Sequence, residues 1–192
     1  MAVIDSRTAG VLRPLSGTNT DEVETRLRLF VSDVTGIDQK LVRKRWMAKP
    51  GTQPGLSSDW CAVGVNSVKT HGLPSFRGHK GNIYDPVSGD IESESHQTLS
   101  CLASFYGPNA SEYADMFRSG LQLPQNNSAL QSMGLTVQGV ADEVRHSPDF
   151  LLQQWVDRYD VAFNIGRKIT RTYGVRTIAS ADVEIITERG KL

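Results

Sequence analysis

Several kinds of chemistry are scarce in this 192-residue chain, and each scarcity excludes a class of function. Only two cysteines occur, Cys61 and Cys101, each inside an apolar stretch and neither in a C-x-x-C pair. A disulfide scaffold is therefore not expected, and the two read as buried free thiols that pack as small hydrophobes. Charge of one sign is also missing, because 21 basic and 21 acidic residues give a formal net charge of zero. A dedicated nucleic-acid binder normally carries a basic surplus to neutralise phosphates, so that class is disfavoured while a local basic patch stays open. No apolar run approaches the length that spans a bilayer, and no membrane partner is expected. The opening residues, MAVIDSRTAG, hold an early Asp and no apolar core of a leader peptide, which predicts synthesis in the cytoplasm. The phosphate-cradling, dinucleotide, zinc-protease and nucleophile-elbow motifs are all absent. His71, His79, His96 and His146 are the four histidines. His71 and His79 share a segment without a cysteine or carboxylate at ligand spacing, so they read as solvated side chains, and no metal or cofactor is predicted.

What is present is a set of periodic segments. Asn19 followed by Glu22 forms a helix start, Val23, Leu27, Phe30, Val31 and Val34 form one stripe, and Gly36 provides a stop, predicting a helix over about 20–35. Leu41 to Ala48 reads as a strand with Arg43 and Arg45 on one face and Val42, Lys44 and Trp46 on the other. Asp59 to Val68 reads as a central strand. The run SCLASFYGPNASEYADMFRSGL, residues 100–121, changes from a period of two to a period of three and four across Gly107-Pro108. Such a joint swings an amphipathic helix, 109–122 with Asn109 as cap, back onto the strand just completed, and Phe105, Tyr113 and Phe117 should meet there. A short helix near 127–133 and a weaker strand near 135–144 follow. In the last third Trp155, Tyr159, Val161, Phe163 and Ile165 alternate with polar residues, and a return run near 175–186 shares the period. These segments predict an α+β fold, a mainly antiparallel sheet with helices packed on one face and a long C-terminal β-hairpin connected around 168–174. The first 18 residues read as a mobile arm, and 19–192 as a single domain with a long loop at about 69–95, where glycines, prolines and basic residues cluster without period.

Two chemical alternatives are open. Asp149, with Asp182 and Glu184 later, could pair carboxylates around a metal for phosphodiester cleavage, but Ile186 stands where a lysine is expected and alternating acids commonly mark the wet face of a strand. The cluster Arg43-Lys44-Arg45 could touch phosphates, or could line a solvated or subunit-facing strand.

The ordered set LVRKRWMAKPGTQPG, DWCAVGV, LASFYGP, GLQLPQNNSALQSMGL and WVDRYDVAFNIGRKITRTYGV resembles the neck or tail-terminator proteins of contractile-tailed bacteriophages, over about 20–186. Its most specific positions are Asp59, Trp60 and Cys61 in the first short motif and Phe105, Tyr106, Gly107 and Pro108 in the second. The resemblance implies a structural virion protein without catalysis, one of six subunits in a ring. That ring would end the tail tube and join it to the head connector, leaving a channel for DNA. The implied partners are its own copies, tail tube and sheath proteins, a connector or collar protein, and genomic DNA in transient non-specific contact. The implied location is the neck of the virion, after assembly in the host cytoplasm. The alternatives are a metal-dependent nuclease and a head-completion adaptor of the same neck. The long loop and the arm are the expected inter-protein contacts, with the basic strand next. Arg43, Lys44, Arg45, Arg77, His79 and Lys80 are the candidate interface or lumen residues.

Overall fold

In a computed structural model the residues described are 2–3, 6, 9–15, 20–47, 51–78, 90–151 and 153–175. Their order is β1 (Ala2–Val3), β2 (Val11–Leu12), α1 (Thr20–Thr35), β3 (Val42–Lys44), β4 (Trp60–Gly78), β5 (Asp90–Tyr106), α2 (Ala110–Leu121), α3 (Pro124–Ser132), β6 (Leu135–Val140), β7 (Arg145–His146), β8 (Asp149–Leu151), β9 (Gln154–Val156) and β10 (Arg158–Gly174). The fold is α+β with a mainly antiparallel sheet. Its strand order is β3-β4-β5-β10-β6, with β7 also paired to β10. β3 joins β4 in parallel, whereas β6 and β7 run antiparallel to β10.

The chain divides into two compact units. The larger covers residues 18–74 and 95–169, and holds the three helices of the described residues and the core. α1 presents Val23, Leu27, Phe30 and Val31 to that core, and it ends at Gly36, whose φ of +75° suits a residue without Cβ. β5 contributes Leu99, Cys101, Ala103 and Phe105 from one face, and β10 contributes Val161, Phe163 and Ile165. Alternation places these on one side of the sheet. Phe117 of α2 completes the layer. It is fully buried, with its ring centroid 5.7 Å from Phe105, 5.5 Å from Phe163 and 6.2 Å from Phe30. The helices therefore cover one face, and the predicted meeting of β5 with α2 is realised.

The smaller unit comprises residues 1–17, 75–94 and 170–192. Within it Ala2–Val3 pairs in parallel with Val11–Leu12, Ser6 N donates to Gly174 O and Leu15 N donates to Thr172 O.

Three local expectations need correction. The long loop at about 69–95 is strand over Lys69–Gly78 and again from Asp90. Residues 67–73 of β4 are exposed on both faces, so no period of two was there to be read. The strand expected over 41–48 is only Val42–Lys44. After it Arg45 still donates its backbone N–H to Val63 O at 2.9 Å, and the chain then bends. Residues 168–174, expected as a connection, continue β10. The return run beyond 175 and the Asn19 cap lie outside the described residues.

Candidate functional site

The two short motifs singled out by their sequence form one corner. Gly107 ends β5 with φ +111°, a conformation that side chains rarely adopt. The carboxylate of Asp59, immediately before β4, accepts from Asn109 N at 2.8 Å through one oxygen and from Asn109 Nδ2 at 2.9 Å through the other. Asn109 holds the N-cap position of α2, as expected, but its side chain makes no capping bond. A residue fifty positions upstream does the capping instead. The next residue, Trp60, stacks on Tyr106 with centroids 4.1 Å apart and planes 4° from parallel. Cys61 and Phe105 point the other way, into the core. Gly107 is enclosed, whereas Pro108 is exposed. Asp59→Ala should therefore lower stability by about 1–2 kcal/mol, the worth of a helix cap, in urea unfolding. Amide exchange should accelerate at Asn109 first. An unchanged midpoint would mean that the carboxylate bonds are not formed in solution.

This corner borders a groove on the helix-free side of the sheet, with a cavity of about 510 Å³. Arg43 and Arg45 enter from β3 and the bend after it, Trp60 from β4, Tyr106 from β5, Arg158 from β10 and Asp149 from β8. A chain of bonds fixes the floor. Arg45 Nη1 donates to Ser104 Oγ at 2.6 Å, and Ser104 Oγ donates to Asp160 Oδ1 at 2.5 Å. Arg158 closes the chain with Nη2 3.2 Å from Asp160 and Nη1 3.1 Å from Asp149. Burial works against the Arg158 charge, yet Asp160, Tyr106 and Asp149 together hold its pKa above the ordinary value. Burial pushes the Tyr106 hydroxyl up, and the neighbouring Arg158 guanidinium only partly opposes this. Arg43 donates to the Thr52 carbonyl at 2.7 Å, and the Arg45 guanidinium lies 5.6 Å from the Trp46 ring centroid. The floor is thus an internally matched ion network, with cations and aromatics at the rim. Trp46 is 65% exposed there.

Lys44 points to the opposite face, 3.9 Å from the Glu24 carboxylate of α1. Arg77 is exposed in the smaller unit, and His79 and Lys80 lie outside the described residues. Of the acids weighed for a metal, Asp149 is tied to Arg158, while Asp182 and Glu184 lie outside the described residues. Among the described residues no group of His, Cys, Asp and Glu is arranged to hold a metal ion, and no helix is long and apolar enough to cross a membrane. His71 stands in β4, not in a loop, with Nε2 2.6 Å from Thr98 Oγ1. Sequence reasoning overlooked Arg158, Ser104 and Asp160. Their only signal was polarity alternating on strands, which a solvated face also produces.

Both thiols are free and buried. Burial raises the Cys61 thiol far above its ordinary value and pushes Cys101 up to about 12 from 9.0. The native state therefore keeps protons that the unfolded chain releases above pH 9. Their contribution is complete below about pH 9 and is lost as pH climbs toward 12. The melting temperature should fall across that window, with a shallower fall in Cys101→Ala. Equal slopes in the two proteins would contradict the buried thiol.

Two comparisons with known proteins bear on these residues. A profile described as phage neck terminator protein matches residues 21–190. A search of curated proteins finds no match.

Proposed function

The chain belongs to the phage neck terminator family, a structural component of the virion neck that associates with other head and tail proteins, and from that premise we propose that it works as a closed, non-catalytic ring. The ring is a homo-hexamer of a contractile-tailed phage. It ends the tail tube, touches tube and sheath on one side and a connector or collar protein on the other, and leaves a channel through which the genome is ejected. Assembly takes place in the host cytoplasm. The observation that carries this reading is the family match over 21–190. Two features of the chain support it. Among the described residues the sheet has helices on one face only, which leaves the Arg43–Trp46 segment and the groove open to a neighbour. Equal numbers of acidic and basic residues, 21 of each, suit a lumen past which DNA must slide, since every retained phosphate contact adds affinity.

The test is genetic and visual. Phage lacking the protein should accumulate filled heads and tails that stay unjoined, with tails of unregulated length in electron micrographs. Asp149→Ala, Asp182→Ala and Glu184→Ala should still join heads to tails if the proteins fold. Magnesium- or manganese-dependent cleavage of DNA by the wild type, lost in these variants, would replace the structural reading with the nuclease. Tails of normal length that merely fail to hold filled heads would favour the head-completion adaptor.

A further inference from the structure

The hairpin of β8 and β9 has two unlike faces. Asp149 and Leu151 line the groove, and Val156, which pairs with Asp149, is buried beside them. Phe150 and Trp155 pair across the same hairpin, so both side chains project from its other face. Their rings meet edge to face with centroids 5.4 Å apart, and they are 57% and 74% exposed. An ordered aromatic pair this open is costly to leave in water unless something covers it.

We propose that the Phe150–Trp155 face of one copy of this chain seats in the groove of a second copy. The inference rests on the ring reading and names its contact. Three observations support this occupant. The groove offers what an aromatic knob lacks, namely guanidinium groups on Arg43 and Arg45 and an exposed indole on Trp46, so ring faces can stack on cations and on another aromatic. Knob and socket lie on opposite faces of a single hairpin, so each seated copy presents a fresh knob to the next. That is the head-to-tail relation a ring requires, since heterologous contacts need two different complementary patches on every subunit. A DNA strand is the weaker occupant, because Asp149 and Asp160 sit among the arginines and would oppose phosphates.

Intermolecular disulfide formation tests the contact. Gln53→Cys at the groove and Gln153→Cys beside the aromatic pair are both surface changes that keep Trp46, Phe150 and Trp155, and the native thiols Cys61 and Cys101 are buried. The two single variants, mixed and oxidised with copper(II) and oxygen, should give a mixed dimer. The double variant should give a ladder ending at the ring number, both in free protein and in isolated necks. Trp155→Ala should weaken self-association by about tenfold or more, as removal of a central aromatic anchor does, with an unchanged melting temperature. If the wild type forms rings but only like-with-like cross-links appear, or none, the seat is elsewhere and the ring survives. If neither free protein nor necks contain rings, the ring reading fails and this contact fails with it. Tight binding of a DNA duplex that Arg43→Glu abolishes and Trp155→Ala leaves untouched would assign the groove to nucleic acid and overturn the proposal.

Discussion

Gly107→Ala should destabilise the subunit by about 3–5 kcal/mol, through two effects that add. The first is conformational: φ of +111° is a region where a residue with a Cβ is strained by about 1–3 kcal/mol. The second is steric. A Cβ built on Gly107 would lie 2.5 Å from Asp59 Oδ1, 2.7 Å from Ser58 O and 2.8 Å from Asp59 Cα. Two of those three atoms are backbone and cannot swing aside as the tip of a flexible side chain would. Overpacking at such a place costs about 1–3 kcal/mol more. The change would also push Asp59 away from Asn109, so the start of α2 should fray. Urea unfolding monitored by far-ultraviolet circular dichroism checks the magnitude. A loss below about 1 kcal/mol would mean that the corner yields without strain.

Phe117→Ala should cost a similar amount, about 3–5 kcal/mol, for a different reason. Phe117 is fully buried and touches Phe30 of α1, Phe105 of β5 and Phe163 of β10. Its removal therefore opens a void where three elements meet, and none of the three can close it without leaving the others. Phe117→Leu should cost markedly less, because it returns most of the volume. If the two substitutions cost the same, edge-on aromatic contact, not filled space, is what Phe117 supplies.

How much of this was legible beforehand depends on where each signal comes from. The stripes of α1 and α2 were readable because a helix with one buried face prints its period on the sequence. The joint at Gly107-Pro108 was readable because the two residue types restrict the backbone by themselves. The far half of β4 was not, since period two arises only when one face is buried and the other wet, and residues 67–73 are wet on both. The N-cap position of α2 was legible at Asn109, but the acceptor that serves it was not, because local reasoning searches locally; that acceptor, Asp59, is fifty residues away. The groove was legible in pieces. Arg43 to Arg45 stood out as a cluster, and Trp60 and Tyr106 as motif positions, but their convergence is a property of strand order, which no single segment encodes. Arg158 and Asp160 were visible only as polar alternation on a strand, and their ion network became visible once Ser104 and Arg45 were placed beside them.

The strand order has one further effect, on timing during synthesis. β5 ends at Tyr106 and its sheet neighbour β10 begins at Arg158, so about a quarter of the chain must be made after β5 before that neighbour starts to emerge. Val161, Phe163 and Ile165 of β10 belong to the core beneath α2. Until they arrive, Phe117 and the inner face of β5 have no cover on that side. Contacts this distant in sequence close slowly, and a nascent chain halted before residue 158 exposes apolar surface that invites aggregation. A chain ending at residue 157 should therefore collect in the insoluble fraction, whereas one that runs past β10 should stay in solution.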